Sequence, residues 1–162
     1  MTAILERAPA AFPGDVTRPG EAVIEPIFLN ATNPPTESGA PVKVVANQAA
    51  KIAAGDTAAS FYGVLTRIAP SESGGLAHAF GDGVPSTSHF QGVIVKGYVA
   101  VKCAQGNPAR GGAVYMRVTA ATGKNVGDFE AVADGANSVL LPGVIWATSY
   151  KDENNIAEIR IG

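Results

Sequence analysis

Phe90-Gln91-Gly92-Val93-Ile94-Val95-Lys96-Gly97-Tyr98-Val99-Ala100-Val101-Lys102-Cys103 is the stretch whose pattern settles the fold class of this chain. β-branched and aromatic residues crowd it, and Lys96-Gly97 divides it into two strand-like runs. In the second run Val99, Val101 and Cys103 fall on one face and Tyr98, Ala100 and Lys102 on the other, the alternation of a half-buried strand. Beyond Gly106-Asn107-Pro108 and Gly111-Gly112, Ala113 to Thr119 alternates likewise, with Val114, Met116 and Val118 opposed to Tyr115, Arg117 and Thr119. Sequential strands usually neighbour each other, so these two runs are expected to pair antiparallel.

The same idiom continues to the C-terminus through Gly127 to Val132, Val139 to Leu141, Val144 to Tyr150 and Ile156 to Ile161. Asp134-Gly135, Pro142-Gly143 and Asp152-Glu153-Asn154-Asn155 supply turn chemistry between them. Upstream, Val23 to Leu29 reads as a strand, but Pro26 has no N–H to give, so it belongs at a sheet edge or in two pieces. A loop through Asn33-Pro34-Pro35 and Ser38-Gly39-Ala40-Pro41 leads to a strand at Val42 to Ala46. Ala49 to Ala59 fits either a helix or a turn, since alanine favours helix and Gly55-Asp56 a reversal. Phe61 to Ile68 is a further strand that Pro70 ends, and Ser71 to Ser88, rich in Gly and Ser, is a long exposed loop. The expectation is an all-β protein: a single antiparallel β-sandwich or β-barrel-like domain over residues 21–162, a jelly roll included. Residues 1–20, with Pro9, Pro13, Pro19, Gly14 and Gly20, form an extended arm that carries the apolar Ile4, Leu5 and Phe12.

Composition narrows the function classes. The chain has 162 residues, 12 basic and 14 acidic, and no basic stripe that could neutralise phosphates, so no nucleic acid partner is expected. Only 16% of residues are charged, against about a quarter in typical domains, which suits a surface that meets other subunits. No apolar run approaches the ~20 residues of a membrane-spanning helix, and Met1 to Arg7 lacks the order of a secretory signal, so cytoplasmic synthesis is expected. Cys103, the single cysteine, sits among valines and is expected to be an inert core residue.

Residues that could carry chemistry are few and badly spaced for it. His78 and His89 have no second His or Cys at metal-ligand spacing, and Ser86 or Ser88 with His89 and Asp82 would crowd a triad into one loop. Asp128, Glu130 and Asp134 could in principle serve glycoside hydrolysis or calcium binding. One Trp and four Tyr make a poor saccharide groove, however, and the calcium-loop order is not met, so a solvated strand face is expected. Gly81-Asp82-Gly83 and Arg110-Gly111-Gly112 lack the Gly-Lys-Ser/Thr end of a phosphate loop and read as turns. No catalytic, cofactor-binding or metal-binding residue is assigned, and no cofactor is expected.

Four phrases in order carry a family resemblance: Phe61 to Arg67 followed by Pro70, Lys96 to Val101, Gly111 to Val118, and Ile156 to Ile161. Over Val23 to Ile161 the chain resembles the structural cement (decoration) proteins of tailed-bacteriophage capsids. The resemblance implies a non-enzymatic β-domain, made in the bacterial host cytoplasm, that binds the outer surface of the head between capsomers and stabilises the shell. It implies as partners the major capsid protein and further copies of the chain itself, a trimer favoured. Subunit-interface candidates are Leu5 and Phe12 from the arm and Ile27 and Phe28 from the first edge strand. The competing reading is a receptor- or carbohydrate-binding β-domain of a phage tail or cell surface, since fold class does not fix function.

Overall fold

The computed structural model describes residues 11–67 and 85–162, and among them nine strands form. These are β1 (Val23–Phe28), β2 (Pro41–Val45), β3 (Gln48–Lys51), β4 (Gly63–Leu65), β5 (Phe90–Gln105), β6 (Ala113–Arg117), β7 (Phe129–Glu130), β8 (Ser138–Trp146) and β9 (Ile156–Ile161). Single 3₁₀ turns occupy Pro19–Glu21, Ala58–Ser60 and Gly135–Asn137. The alanine-rich stretch from Ala49 resolves into β3, a turn and the second of these, because Ala46 (φ 50°) and Asn47 (φ 63°) close a hairpin that commits Gln48–Lys51 to pairing with β2.

β5 organises the rest. Its 16 residues run unbroken through Lys96-Gly97, where two runs were expected. Gly97, at φ 119°, is where the strand changes neighbours. Before it, β5 pairs with β1 and β4; from Gly97 onward it pairs with β9, and near its end with β7.

Two circuits of strands result. The first runs β1-β5-β4-β2-β3, its ends joined only by an isolated parallel bridge from Leu29, just past β1, to Ala49. Each strand gives it an inward residue: Ile27 from β1, Val42, Ala49, Leu65 and Val93, with Leu29 at the seam. The second runs β5-β9-β8-β6-β7 and back to β5, antiparallel at every step but the parallel β5–β7 pair. Its core is Val99, Val101, Cys103, Val114, Met116, Phe129, Leu141, Trp146 and Ile159. Val64 and Ile94, back to back with Leu65 and Val93, extend this core beneath the first circuit. The all-β expectation holds, and of the architectures that fitted the strand pattern the closed, barrel-like one is found.

Three local expectations are corrected. β5 and β6 do not pair, because β7 lies between them with Phe129 opposite Cys103 on one side and Met116 on the other. A strand of two residues leaves no periodic trace in a sequence, so its insertion could not be read. Pro142-Gly143 is no turn: β8 passes straight through it, with Gly143 at φ 77° and a register jump between Ala113↔Ile145 and Tyr115↔Leu140. Such an irregularity accommodates a proline that has no ladder hydrogen bond to give. The Phe61 strand contracts to Gly63–Leu65, although Tyr62 N–H still donates to Val42 O at 2.9 Å and Thr66 N–H to Gly92 O at 2.9 Å. The expected loop at Ser71 to Ser88 lies outside the described residues up to position 84.

Among the described residues β1 sits where Pro26 demands, at an edge, pairing in the sheet with β5 alone and with Pro26 opposite Gly92. Ahead of β1, residues 14–17 run antiparallel beside Tyr98 to Ala100, with Val16 bridged to Val99. The chain then crosses over β5 at Gly97, through the Pro19–Glu21 turn, to begin β1. A Cβ on Gly97 would stand 2.9 Å from Ala22 Cα and 3.0 Å from Glu21 O, so the crossing requires a residue without one. Gly97→Val is therefore expected to cost about 1–3 kcal/mol from the left-handed backbone alone, and more as the crossing chain lifts. Urea unfolding measures this, and wild-type stability in the variant would contradict the crossing.

Candidate docking surface

Alternation along β1 puts Ile24, Pro26 and Phe28 on one face, opposite Ile94, Gly92 and Phe90 of β5. Ile94 is buried, but the row runs past the core: Ile24 is 46%, Phe28 40% and Phe90 60% exposed. The Phe28 and Phe90 rings lie with centroids 4.0 Å apart at 37°, an aromatic pair standing in solvent. On the other face Ile27 packs half-buried against the small core. Glu25 accepts a hydrogen bond from the Tyr62 hydroxyl, and this bond, reinforced by burial, raises the Tyr62 pKa.

Of the four interface candidates, Phe28 is thus surface, Ile27 belongs to the small core, and Leu5 lies outside the described residues. Phe12 is 52% exposed, with the Arg67 guanidinium 4.4 Å from its ring centroid; Arg67 also faces Asp15 at 3.5 Å. A shallow groove lined by Ala11, Asp15, Val16, Thr17, Ile24, Thr66 and Arg67 connects this segment to the β1 face. Phe90 and Ile24 were not singled out from sequence, and alternation could not have found them: it marks the face a residue takes, not where the core beneath that face stops.

Among the described residues the candidates for catalysis stay apart. His89 is exposed, His78 and Asp82 lie outside the described residues, and Ser88 N–H bonds Ser86 Oγ at 3.1 Å. Among the described residues no three His, Cys, Asp or Glu side chains gather as metal ligands. Cys103 is fully buried, its thiol 3.4 Å from Gln105 O, and burial pushes its pKa up, away from nucleophilic thiolate. It is the core residue expected.

Of the three acidic residues expected on a solvated face, Glu130 is not there, while Asp128 and Asp134 stay partly exposed. Glu130 is completely buried, and its Oε1 receives a hydrogen bond from Nε of the equally buried Arg117 at 2.6 Å. Arg117 Nη2 also donates to Asp134 Oδ2 at 2.5 Å, Nη1 to Thr119 O at 3.1 Å, and Lys124 Nζ reaches Asp134 at 3.3 Å. Both Arg117 and Glu130 point out of the barrel, away from Met116 and Phe129, but the chain between β6 and β8 closes over them. Asp134, whose N–H donates to Ser138 Oγ at 2.8 Å, is fixed in that cover. The arrangement clamps a loop to the barrel wall, with the second Glu130 oxygen, Oε2, buried and, among the described residues, without a hydrogen-bond partner.

Comparison with known proteins adds what the geometry leaves open. A family model described as XM1 gp53 minor capsid protein matches residues 1–161. Among solved structures, a chain of the capsid of Myoviridae phage XM1 superposes with a TM-score of 0.71 at 18% identity, covering 99% of this chain and 95% of that one. No curated protein matches the sequence.

Removing the arginine strands a buried carboxylate, so Arg117→Met is expected to destabilise the fold by about 3–5 kcal/mol, and Arg117→Met with Glu130→Leu to recover much of that loss. Chemical unfolding of the two variants checks it. The hydrogen bond from Arg117, with that from Lys124, holds the Asp134 carboxyl below the usual carboxylate range. Its contribution to stability is complete above an unfolded-state pKa of about 3.9 and disappears as the pH falls through the lowered native value. Carboxyl NMR titration is expected to return Asp134 toward the ordinary value in Arg117→Met.

Proposed function

The chain belongs to the XM1 gp53 minor capsid protein family, and on that premise we propose that it is a cement (decoration) protein that binds the outside of a tailed-phage head between capsomers and stabilises the shell. As a capsid protein it is part of the virion and associates with the shell. The finer reading takes the major capsid protein as its direct partner, further copies of itself as neighbours in a homo-oligomer, and no catalysis. It takes the host cytoplasm as the place of synthesis and residues 1–20 as the arm that leads into the domain at 21–162.

One observation carries the reading: the row Ile24, Phe28 and Phe90 on edge strand β1 and β5, apolar and open to water. Stacked phenylalanines gain most from a surface that covers them, and one modest contact repeated over many copies on a shell adds up to firm attachment. Phe12 adds to this surface, exposed beside the groove that leads to Ile24. Leu5 belongs to the arm portion proposed to continue this contact.

Purified protein is expected to co-sediment with empty heads. Phe28→Ser with Phe90→Ser is expected to weaken that binding at least tenfold, the loss of roughly 1.4 kcal/mol or more that defines a central contact, with an unchanged melting temperature. Failure of the wild-type protein to sediment with heads, or selective binding on a glycan array, would replace cement with the receptor-binding alternative.

A further inference from the structure

We propose that residues 12–18 are an exchangeable strap, which in the assembled protein sits on the β5 edge of a second copy of this chain rather than on its own. This rests on the homo-oligomeric reading above and names the element that would link the copies.

The seat is specific, and the strap now in it shows what fits. Gly14 N–H donates to Ala100 O at 2.8 Å, Ala100 N–H to Asp15 O at 3.0 Å, and Thr17 N–H to Tyr98 O at 3.2 Å, a short antiparallel ladder on β5. Gly14 (φ 88°) lies in a cradle where a Cβ would stand 2.7 Å from Arg67 N and 2.9 Å from Gly39 N. Val16 packs against the main core. The Arg18 guanidinium sits 3.8 Å over the Tyr98 ring, and Glu158 accepts hydrogen bonds from the Thr17 hydroxyl and, at 3.4 Å, from Arg18 Nη2.

The link to the rest of the chain is short. Pro19–Glu21 is one 3₁₀ turn with no buried residue; it meets Gly97 at Glu21 and, one residue on, at Ala22, and around Gly20 no described atom lies within 4 Å of where a Cβ would be. Opening that turn redirects the strap outward without disturbing any strand pairing of either barrel. The strap then makes the same ladder, cradle and ion-pair contacts on a neighbour, so exchange costs little in contacts, and a three-residue turn leaves little slack for folding back.

The Val16–Val99 pair gives a direct test. Hydrogen bonds flank it at Thr17–Tyr98 and Asp15–Ala100, which makes it a non-hydrogen-bonded pair with Cα atoms typically about 4.5 Å apart, close enough for a disulfide. Full-length Val16→Cys/Val99→Cys protein, free and bound to heads, is oxidised and run on a non-reducing denaturing gel, with Val16→Cys alone as control. Exchange yields covalent multimers, and inserting six Gly/Ser residues after Gly20 is expected to cut their share at least fivefold. A single-chain band alone overturns the proposal. Should that core pair prevent folding, Thr17→Cys/Tyr98→Cys, directly opposite and nearer the surface, gives the same readout. Light scattering on the wild-type protein keeps the two readings apart: an oligomer whose strap cross-links only within its own chain disposes of exchange and leaves the oligomer, while head binding by such a protein leaves the cement reading intact.

Discussion

Everything in this molecule depends on β5 serving two barrels at once. A strand can hold neighbours on both edges along its whole length, and here the neighbours differ on either side of Gly97. That division needs a backbone able to turn at φ 119° with no side chain in the way, because the N-terminal segment passes directly over the same residue. One glycine thus meets a conformational and a steric demand together, and most other residue types would fail at least one of them.

The apolar residues follow from this arrangement. β4 and the first half of β5 are covered on both faces, Leu65 and Val93 toward the small core, Val64 and Ile94 toward the large one. The two barrels are therefore joined by packing as well as by chain, and act as one body. β1 escapes this double coverage. Among the described residues it lies at the edge with its outer row running beyond the hydrophobic interior, which is why hydrophobic area remains on the surface there.

Much of this was legible in the sequence, for identifiable reasons. Val99, Val101 and Cys103, like Val114 and Met116, alternate cleanly because one face of each strand meets the core and the other does not. Pro26 announced an edge by its missing donor. Three things were not legible. β7 is too short to have a period. The closing chain over Arg117 and Glu130 turns an outward face into an interior, and alternation reports the face a side chain takes but not what later covers it. Phe90 looked like the first residue of a strand, and its partnership with Phe28 depends on a register that pairing across more than sixty positions sets. The family resemblance drawn from strand phrases pointed to phage capsids, and the family match bears that out; the contact residues were beyond its reach because no compact motif fixes them.

The continuous run of β5 also has a mechanical meaning. Sixteen residues in extended form span roughly 50 Å, and ladders flank them on both sides and on both halves. Tension applied along that axis loads those bonds in shear, so that many must give way together instead of peeling singly. A strand shared in this way carries stretch from one barrel to the other.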